Sequence, residues 1–173
     1  MVGLSRDLRC RRAHVTWLVV SALVTACSTS TSHQQKAMQA SQAGDQKAAI
    51  RLAKKEVARF SSADECSRAK KLNCGTLALA YSSLAEYQVL DGDKRGAESS
   101  FTSAKEALDL MDPEQRPSAT AMVYRDVSEA FWKVGDRARA VTVFKEGRAA
   151  GGDVWLFTSS AAQLAAQEEA PLP

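Results

Sequence analysis

Histidine is scarce in this chain of 173 residues, which contains only His14 and His33. With so few imidazoles, a Ser-His-Asp triad and the usual histidine-containing zinc sites are excluded. The glycine-rich stretch Gly147–Gly152 lacks the Lys-Ser/Thr pair that completes a phosphate-binding loop. Acidic side chains occur in several segments, but no pattern places two of them in one pocket. We therefore expect no enzymatic activity, no bound metal and no cofactor.

Long apolar runs are missing as well. The run from Val15 to Ala26 has 12 residues, whereas a helix needs about 20 to cross the hydrocarbon core of a bilayer. Four arginines and a single acidic residue, Asp7, precede it. A basic start followed by a short apolar stretch and small residues is typical of a secretory signal peptide. We predict that residues 1–26 are such a peptide.

The end of this segment, Val24-Thr25-Ala26-Cys27, resembles the lipobox of bacterial lipoproteins. The resemblance implies that Cys27 carries lipid and becomes the first residue of the mature protein. Several acyl chains on one residue would hold the protein firmly at a membrane. Ser28 follows in place of an aspartate, which by the same resemblance implies the periplasmic side of the outer membrane. Residues 27–35 then form a polar tether. The alternative is a secreted protein that is cut near a cysteine by chance.

The mature chain lacks an excess of either charge. The formal net charge is +3, but 19 basic and 19 acidic side chains remain once the four arginines and one aspartate of residues 1–26 are set aside. A nucleic-acid partner is therefore not expected. The charges are unevenly spread, because residues 47–71 hold eight basic and three acidic residues, and residues 72–173 hold ten and fifteen. Either these are solvated helix faces or the basic half lies against anionic lipid head groups.

Cysteine is also rare. Apart from one residue in the signal peptide and Cys27, the chain has only Cys66 and Cys74, and in an oxidising periplasm such a pair predicts a disulfide. They are eight positions apart, about 12 Å on a continuous helix, whereas a disulfide needs Cα atoms within about 7 Å. We therefore predict a helix break between them, near Asn73 and Gly75. Two buried free thiols are the alternative.

Three Gly-Asp pairs, at residues 44–45, 92–93 and 135–136, divide the remaining chain into similar segments. Glycine ends a helix well because it enters the left-handed conformation, and aspartate caps the next helix. An alanine follows each pair, and an aromatic residue follows the alanine in the second and third segments; these residues are Ala49, Ala97, Ala140, Phe101 and Phe144. The pattern predicts helical hairpins whose apolar faces must be buried against neighbouring hairpins.

This arrangement resembles the tetratricopeptide repeat, which has a Gly-Asp turn between its two helices and then Ala and Phe. The resemblance implies an all-α fold, a solenoid of stacked antiparallel hairpins over residues 36–168. The third unit, Ala121–Gly151, matches best, and the first is weak because Ala53 replaces the aromatic residue. The pairs are spaced by 48 and 43 residues rather than about 34.

The end of the chain is predicted to close this stack. Val154–Gln167 has the pattern of a last helix, and Trp155, Leu156 and Leu164 can cover the apolar end of the third hairpin. Residues 169–173 are predicted to form a disordered tail.

In tetratricopeptide stacks the first helix of each hairpin lines a concave groove that holds a partner segment. Carried over to this sequence, the resemblance predicts groove positions in the second and third units. They are Leu79, Ser82, Glu86, Val89, Met122, Arg125, Glu129 and Trp132. The alternatives are that Trp132 packs beneath the terminal helix, and that Arg125 and Glu129 form an ordinary ion pair on the surface.

These observations favour an outer-membrane lipoprotein that acts as a periplasmic adaptor in envelope assembly or secretion. Its partner would be another envelope protein or an extended peptide segment, with the lipid on Cys27 as the membrane contact. The alternative is an immunity or inhibitor lipoprotein that neutralises one toxin or hydrolase in the periplasm.

Overall fold

The regular structure of this protein is helical. The computed structural model describes residues 32–151 and 159–169, and within these ranges it contains helices and no strands. The helices are α1 (His33–Gln42), α2 (Gln46–Phe60), α3 (Cys74–Leu90), α4 (Lys94–Asp109), α5 (Arg116–Lys133), α6 (Arg137–Ala149) and α7 (Ser160–Glu169). The predicted all-α class is confirmed. The predicted signal peptide, Cys27, Trp155, Leu156 and residues 170–173 lie outside the described residues.

The three Gly-Asp pairs form nearly identical turns. Gly44, Gly92 and Gly135 have φ angles of 83°, 84° and 82°, which is the left-handed region. In each turn the glycine N–H donates to a carbonyl three residues back, and the following N–H donates to one five residues back. This pattern is the Schellman motif, which satisfies the last carbonyls of a helix. The aspartate carboxylate then accepts a hydrogen bond from the N–H three residues later, at 2.8–3.3 Å.

These turns join the helices into pairs, α1 with α2, α3 with α4 and α5 with α6. The central helix α3 contacts its partner α4 and also α1, α2 and α5, and α7 contacts both α5 and α6. Alanines at the same position of each second helix, Ala49, Ala97 and Ala140, are fully or almost fully buried. A small side chain at this position lets the two helices of a pair approach closely.

The core is unequal along the chain. Around α3–α7 a large cluster contains Phe101, Phe131 and Phe144, and Phe101 packs edge-on against Tyr124 with ring centroids 5.1 Å apart. Around α1 and α2 a smaller cluster is built mostly from alanines, together with Leu84 and Tyr87 of α3. The absence of an aromatic residue at Ala53 explains why the first pair contributes less buried apolar surface.

A disulfide joins Cys66 to Cys74, as the sequence predicts, with Cα atoms 4.8 Å apart. The break that permits it is the irregular segment 61–73, and Cys74 is the first residue of α3. Gly75 lies inside that helix rather than in the break. A Cβ there would come within 3.0 Å of the Met111 side chain, so glycine provides room for a close contact.

Two predicted boundaries differ from the structure. Helix α1 begins at His33, two residues before the predicted end of the tether at residue 35. Its polar residues resemble a tether in sequence, but glutamine and lysine form helices well, and packing of Ala37 against α2 adds stability. At the other end α7 extends through Glu169, one residue past the predicted domain end. Among the described helices, none is both long and apolar enough to cross a membrane.

Candidate partner-binding groove

The first helices of the three pairs border an open cavity of about 510 Å³. Most of its wall comes from α1, α3 and α5, and the start of α2 closes one end. The lining residues are Gln34, Met38, Ser41, Gln42, Gln46, Ser83, Glu86, Tyr87, Leu90, Asp126 and Lys133. We call this cavity the groove. Its volume lies in the range of about 300–1,000 Å³ that is typical of ligand pockets.

The α1 wall of the groove is rich in amides and hydroxyls. Ser41 Oγ donates to Gln46 Oε1 at 3.0 Å, and Gln46 Nε2 donates to the Ser41 carbonyl at 3.3 Å. These contacts hold the end of α1 against the start of α2. Met38 stands beside them and is 47% exposed. The wall therefore combines hydrogen-bonding groups with one accessible, flexible apolar side chain.

Charged side chains of α3 and α5 meet across the groove. Lys133 Nζ donates to Glu86 Oε1 at 3.1 Å, which ties the two helices together. Beside them, Arg125 donates to Asp126 Oδ1 through Nε at 2.9 Å and through a terminal nitrogen at 2.7 Å. Both pairs are partly exposed, so each contributes little to stability by itself. A partner can therefore rearrange them at small energetic cost.

Tyr87 forms the most deeply placed part of the groove wall and is largely buried. Burial, and to a lesser extent the negative charges of Glu86 and Asp126, raise its pKa to about 12. The phenol therefore stays neutral at any physiological pH. It offers the groove an aromatic ring and a hydroxyl that can donate or accept.

Of the predicted groove positions on α3, only Glu86 lines the cavity. The predictions for Ser82 and Val89 are wrong in geometry, because these side chains are 0% and 2% exposed. Ser82 Oγ donates to the Val123 carbonyl at 3.3 Å and so binds α3 to α5. Leu79 is half-buried against the main core. A partner cannot reach Ser82 or Val89 in this structure.

The predicted positions on α5 lie on a different side of that helix from the groove. Glu129 Oε1 accepts a hydrogen bond from the Ser160 N–H at 2.5 Å, at the start of α7. Trp132 packs against the main core, and the Arg137 guanidinium lies 5.2 Å from its ring centroid. Met122 is half-buried, and Arg125 pairs with its neighbour Asp126 rather than with Glu129. None of these four side chains lines the groove.

The error is a register shift of about one residue. On α3 the groove residues are Ser83 and Leu90 rather than Ser82 and Val89, and on α5 Asp126 stands in place of Arg125. One residue turns a helix by about 100°, which moves a side chain from the open face to a packed one. A usable signal exists in the sequence. Ser83 and Asp126 each stand nine positions before the glycine of their turn, and counting back from that glycine identifies both.

A catalytic or metal site does not emerge from the described side chains. Within residues 32–151 and 159–169, no group of three or more His, Cys, Asp or Glu residues is placed to hold a metal ion. The two acids of the groove, Glu86 and Asp126, are each engaged by a cation. The arrangement suits binding through hydrogen bonds and a few apolar contacts.

Comparison with known proteins gives no relative: no protein-family model, curated protein or solved structure matches this chain.

Proposed function

We propose that this protein is an outer-membrane lipoprotein whose groove binds a segment of another envelope protein, so that it acts as an adaptor in envelope assembly or secretion. The observation that carries this proposal is the groove itself. Three helices from three successive hairpins contribute side chains to one open cavity. An adaptor needs such a continuous surface and needs no reactive centre.

A tetratricopeptide-like stack is part of the proposal. The repeated turns at Gly44, Gly92 and Gly135 support it, as does the buried alanine five residues after each glycine. The contacts of α3 with α1 and α5 also support it, since the first helices of neighbouring repeats adjoin in such a stack.

The chemistry of the groove favours a polypeptide partner. The side-chain amides of Gln34 and Gln42 have both a donor and an acceptor, which suits the N–H and C=O groups of a peptide backbone. Met38 and Leu90 offer separate apolar contacts to side chains of the bound segment. Glu86 and Lys133 are placed to exchange their mutual ion pair for contacts with a polar partner.

The groove can be tested by capture from gently solubilised membranes. Replacing Ser83 by Trp fills the groove, and replacing Thr102, an exposed residue of α4, by Trp is the matched control. We expect one recurrent protein to co-purify with the wild type and the control, and to be lost with Ser83→Trp. If the chain elutes alone, the adaptor proposal fails. If the captured protein is an exported toxin or hydrolase, the immunity or inhibitor role replaces it.

The proposed outer-membrane localisation depends on the lipobox resemblance and can be tested separately. Cys27→Ala should abolish palmitate labelling and leave an uncut or soluble form. If the altered protein still labels with palmitate and still fractionates with the outer membrane, the lipoprotein assignment is wrong.

A further inference from the structure

The outer side of α2 carries cations and no exposed anion. Its basic residues are Lys47, Arg51, Lys54, Lys55 and Arg59, and all five are exposed. At about 100° per residue they occupy an arc of about 140° on the side opposite the buried face of the helix. From first to last they span about 18 Å along the axis. We call these five residues the basic stripe.

Burial of Glu56 makes the basic stripe uniform in sign. Glu56 is the single acidic residue of α2, and it is only 4% exposed. It lies on the face of Ala49 and Ala53, toward the rest of the domain. The sequence alone shows a mixed helix with one acid among five bases. The structure removes that acid from the surface.

The basic stripe differs from the charged surfaces of α4 and α6 in its ion pairing. Among the described residues, Lys47, Arg51, Lys54 and Lys55 take part in no ion pair. On α4 and α6, by contrast, Arg139 bonds to Glu98 at 2.7 and 2.8 Å and to Glu146 at 2.9 Å.

We infer that the basic stripe is a docking surface for the anionic head groups of a membrane. A stripe of exposed cations is complementary to a layer of lipid phosphates, and each Lys or Arg near such a surface strengthens binding about fivefold, or about 1 kcal/mol. Because α1 and α2 are antiparallel, the Arg59 end of the basic stripe lies at the end of the pair where α1 begins at His33. That residue follows Cys27 by six positions, about 20 Å of extended chain at most, so the proposed lipid anchor leaves the basic stripe within reach of the surface.

The test uses the full chain reconstituted in vesicles, with an environment-sensitive fluorophore at Ala58, an exposed α2 residue between the cations. Vesicles of phosphatidylcholine alone are compared with vesicles that contain phosphatidylglycerol. We expect a blue shift of the emission only with phosphatidylglycerol, and its reversal at about 0.5 M salt, where screening is strong. A fluorophore at Thr102 on α4 is the positional control and should show no shift.

Charge variants identify the residues responsible. Arg51→Gln/Lys54→Gln/Lys55→Gln should weaken the response to phosphatidylglycerol about a hundredfold, since three cations are removed. Arg95→Gln/Lys145→Gln/Arg148→Gln removes the same charge from α4 and α6 and should leave the response unchanged. Circular dichroism checks that both variants remain helical.

Several results would overturn the inference. The inference fails if the fluorophore at Ala58 emits equally on neutral and anionic vesicles. This holds even if the α2 triple variant no longer binds some acidic protein, because the basic stripe would then bind a protein rather than lipid. An equal loss in both triple variants would show that only net charge matters. Two variants separate this inference from the groove proposal and from the proposed lipid anchor. Ser83→Trp should keep the Ala58 shift, and so should Cys27→Ala on anionic vesicles.

Discussion

Replacement of Glu56 by methionine should stabilise the protein. Its Oε2 atom is buried and has no hydrogen-bond partner within residues 32–151 and 159–169, an arrangement that costs stability because water is lost without compensation. At the same distance after the other turn glycines, the chain has Ala104 and Gly147, which are also buried. Glu56 is therefore the polar exception at a position that elsewhere holds small residues.

The expected gain in stability equals the desolvation penalty that the substitution removes. A buried polar group without a partner costs about 1–3 kcal/mol, and methionine keeps a similar volume and adds apolar contacts. We expect Glu56→Met to raise the free energy of unfolding by about 1–3 kcal/mol, which raises the melting temperature by about 3–10 °C for a domain of this size.

Urea unfolding followed by far-UV circular dichroism measures the change. Glu106→Met is the matched control, because Glu106 is an exposed glutamate on α4 and its replacement should change stability by less than about 0.5 kcal/mol. A loss of stability in Glu56→Met would refute the reasoning. It would mean that the side chain of Glu56 has a stabilising partner in the folded protein.

Three further predictions concern the disulfide, a turn and the groove tyrosine. Reduction of Cys66–Cys74 should lower the free energy of unfolding by about 2–3 kcal/mol because a nine-residue loop is released, as measured in urea with and without reductant. Gly92→Ala should cost about 1–2 kcal/mol. Because an added Cβ meets no atom of the described part of the chain within 4 Å, the loss seen in thermal unfolding reports the left-handed backbone alone. Tyr87 has a folded pKa of about 12 against 10.0, so the folded state holds this proton more tightly. The stability that this proton contributes is present below pH 10 and is lost as pH rises through 12. Urea unfolding should therefore show an alkaline loss of stability in the wild type that is absent from Tyr87→Phe.

Each of these has a clear contrary result. A reductant effect that persists in the Cys66→Ser/Cys74→Ser protein would not arise from the disulfide. An unchanged midpoint in Gly92→Ala would mean that the turn relaxes. The same alkaline decline in Tyr87→Phe and wild type would assign the decline to other groups.

The turns were predictable from the sequence because their chemistry is local. A glycine that adopts positive φ and an aspartate that caps the next N-terminus need no knowledge of the rest of the chain, and Gly44, Gly92 and Gly135 behave alike. The disulfide was predictable for a similar reason, since spacing alone requires a break between Cys66 and Cys74.

The groove register did not follow from the apolar pattern of the helices. The helical pattern of α5 shows which residues are apolar, but the face that stays open depends on where α7 docks. Glu129 caps α7 at Ser160, so the side predicted to be open is used for packing. The start of helix α1 and its part in the groove were missed because its sequence is polar. Its polar residues carry almost no hydrophobic signal, yet Gln34 and Met38 line the groove.

The most direct test of the adaptor proposal is in-cell photo-crosslinking from Ser83 and from Arg125 in turn. Ser83 lines the groove, whereas Arg125 does not. The proposal predicts that one envelope protein crosslinks to Ser83 and that Arg125 gives no such product. Crosslinks from Arg125 alone, or from neither position, would contradict it, because the groove would then not be the surface that binds the partner.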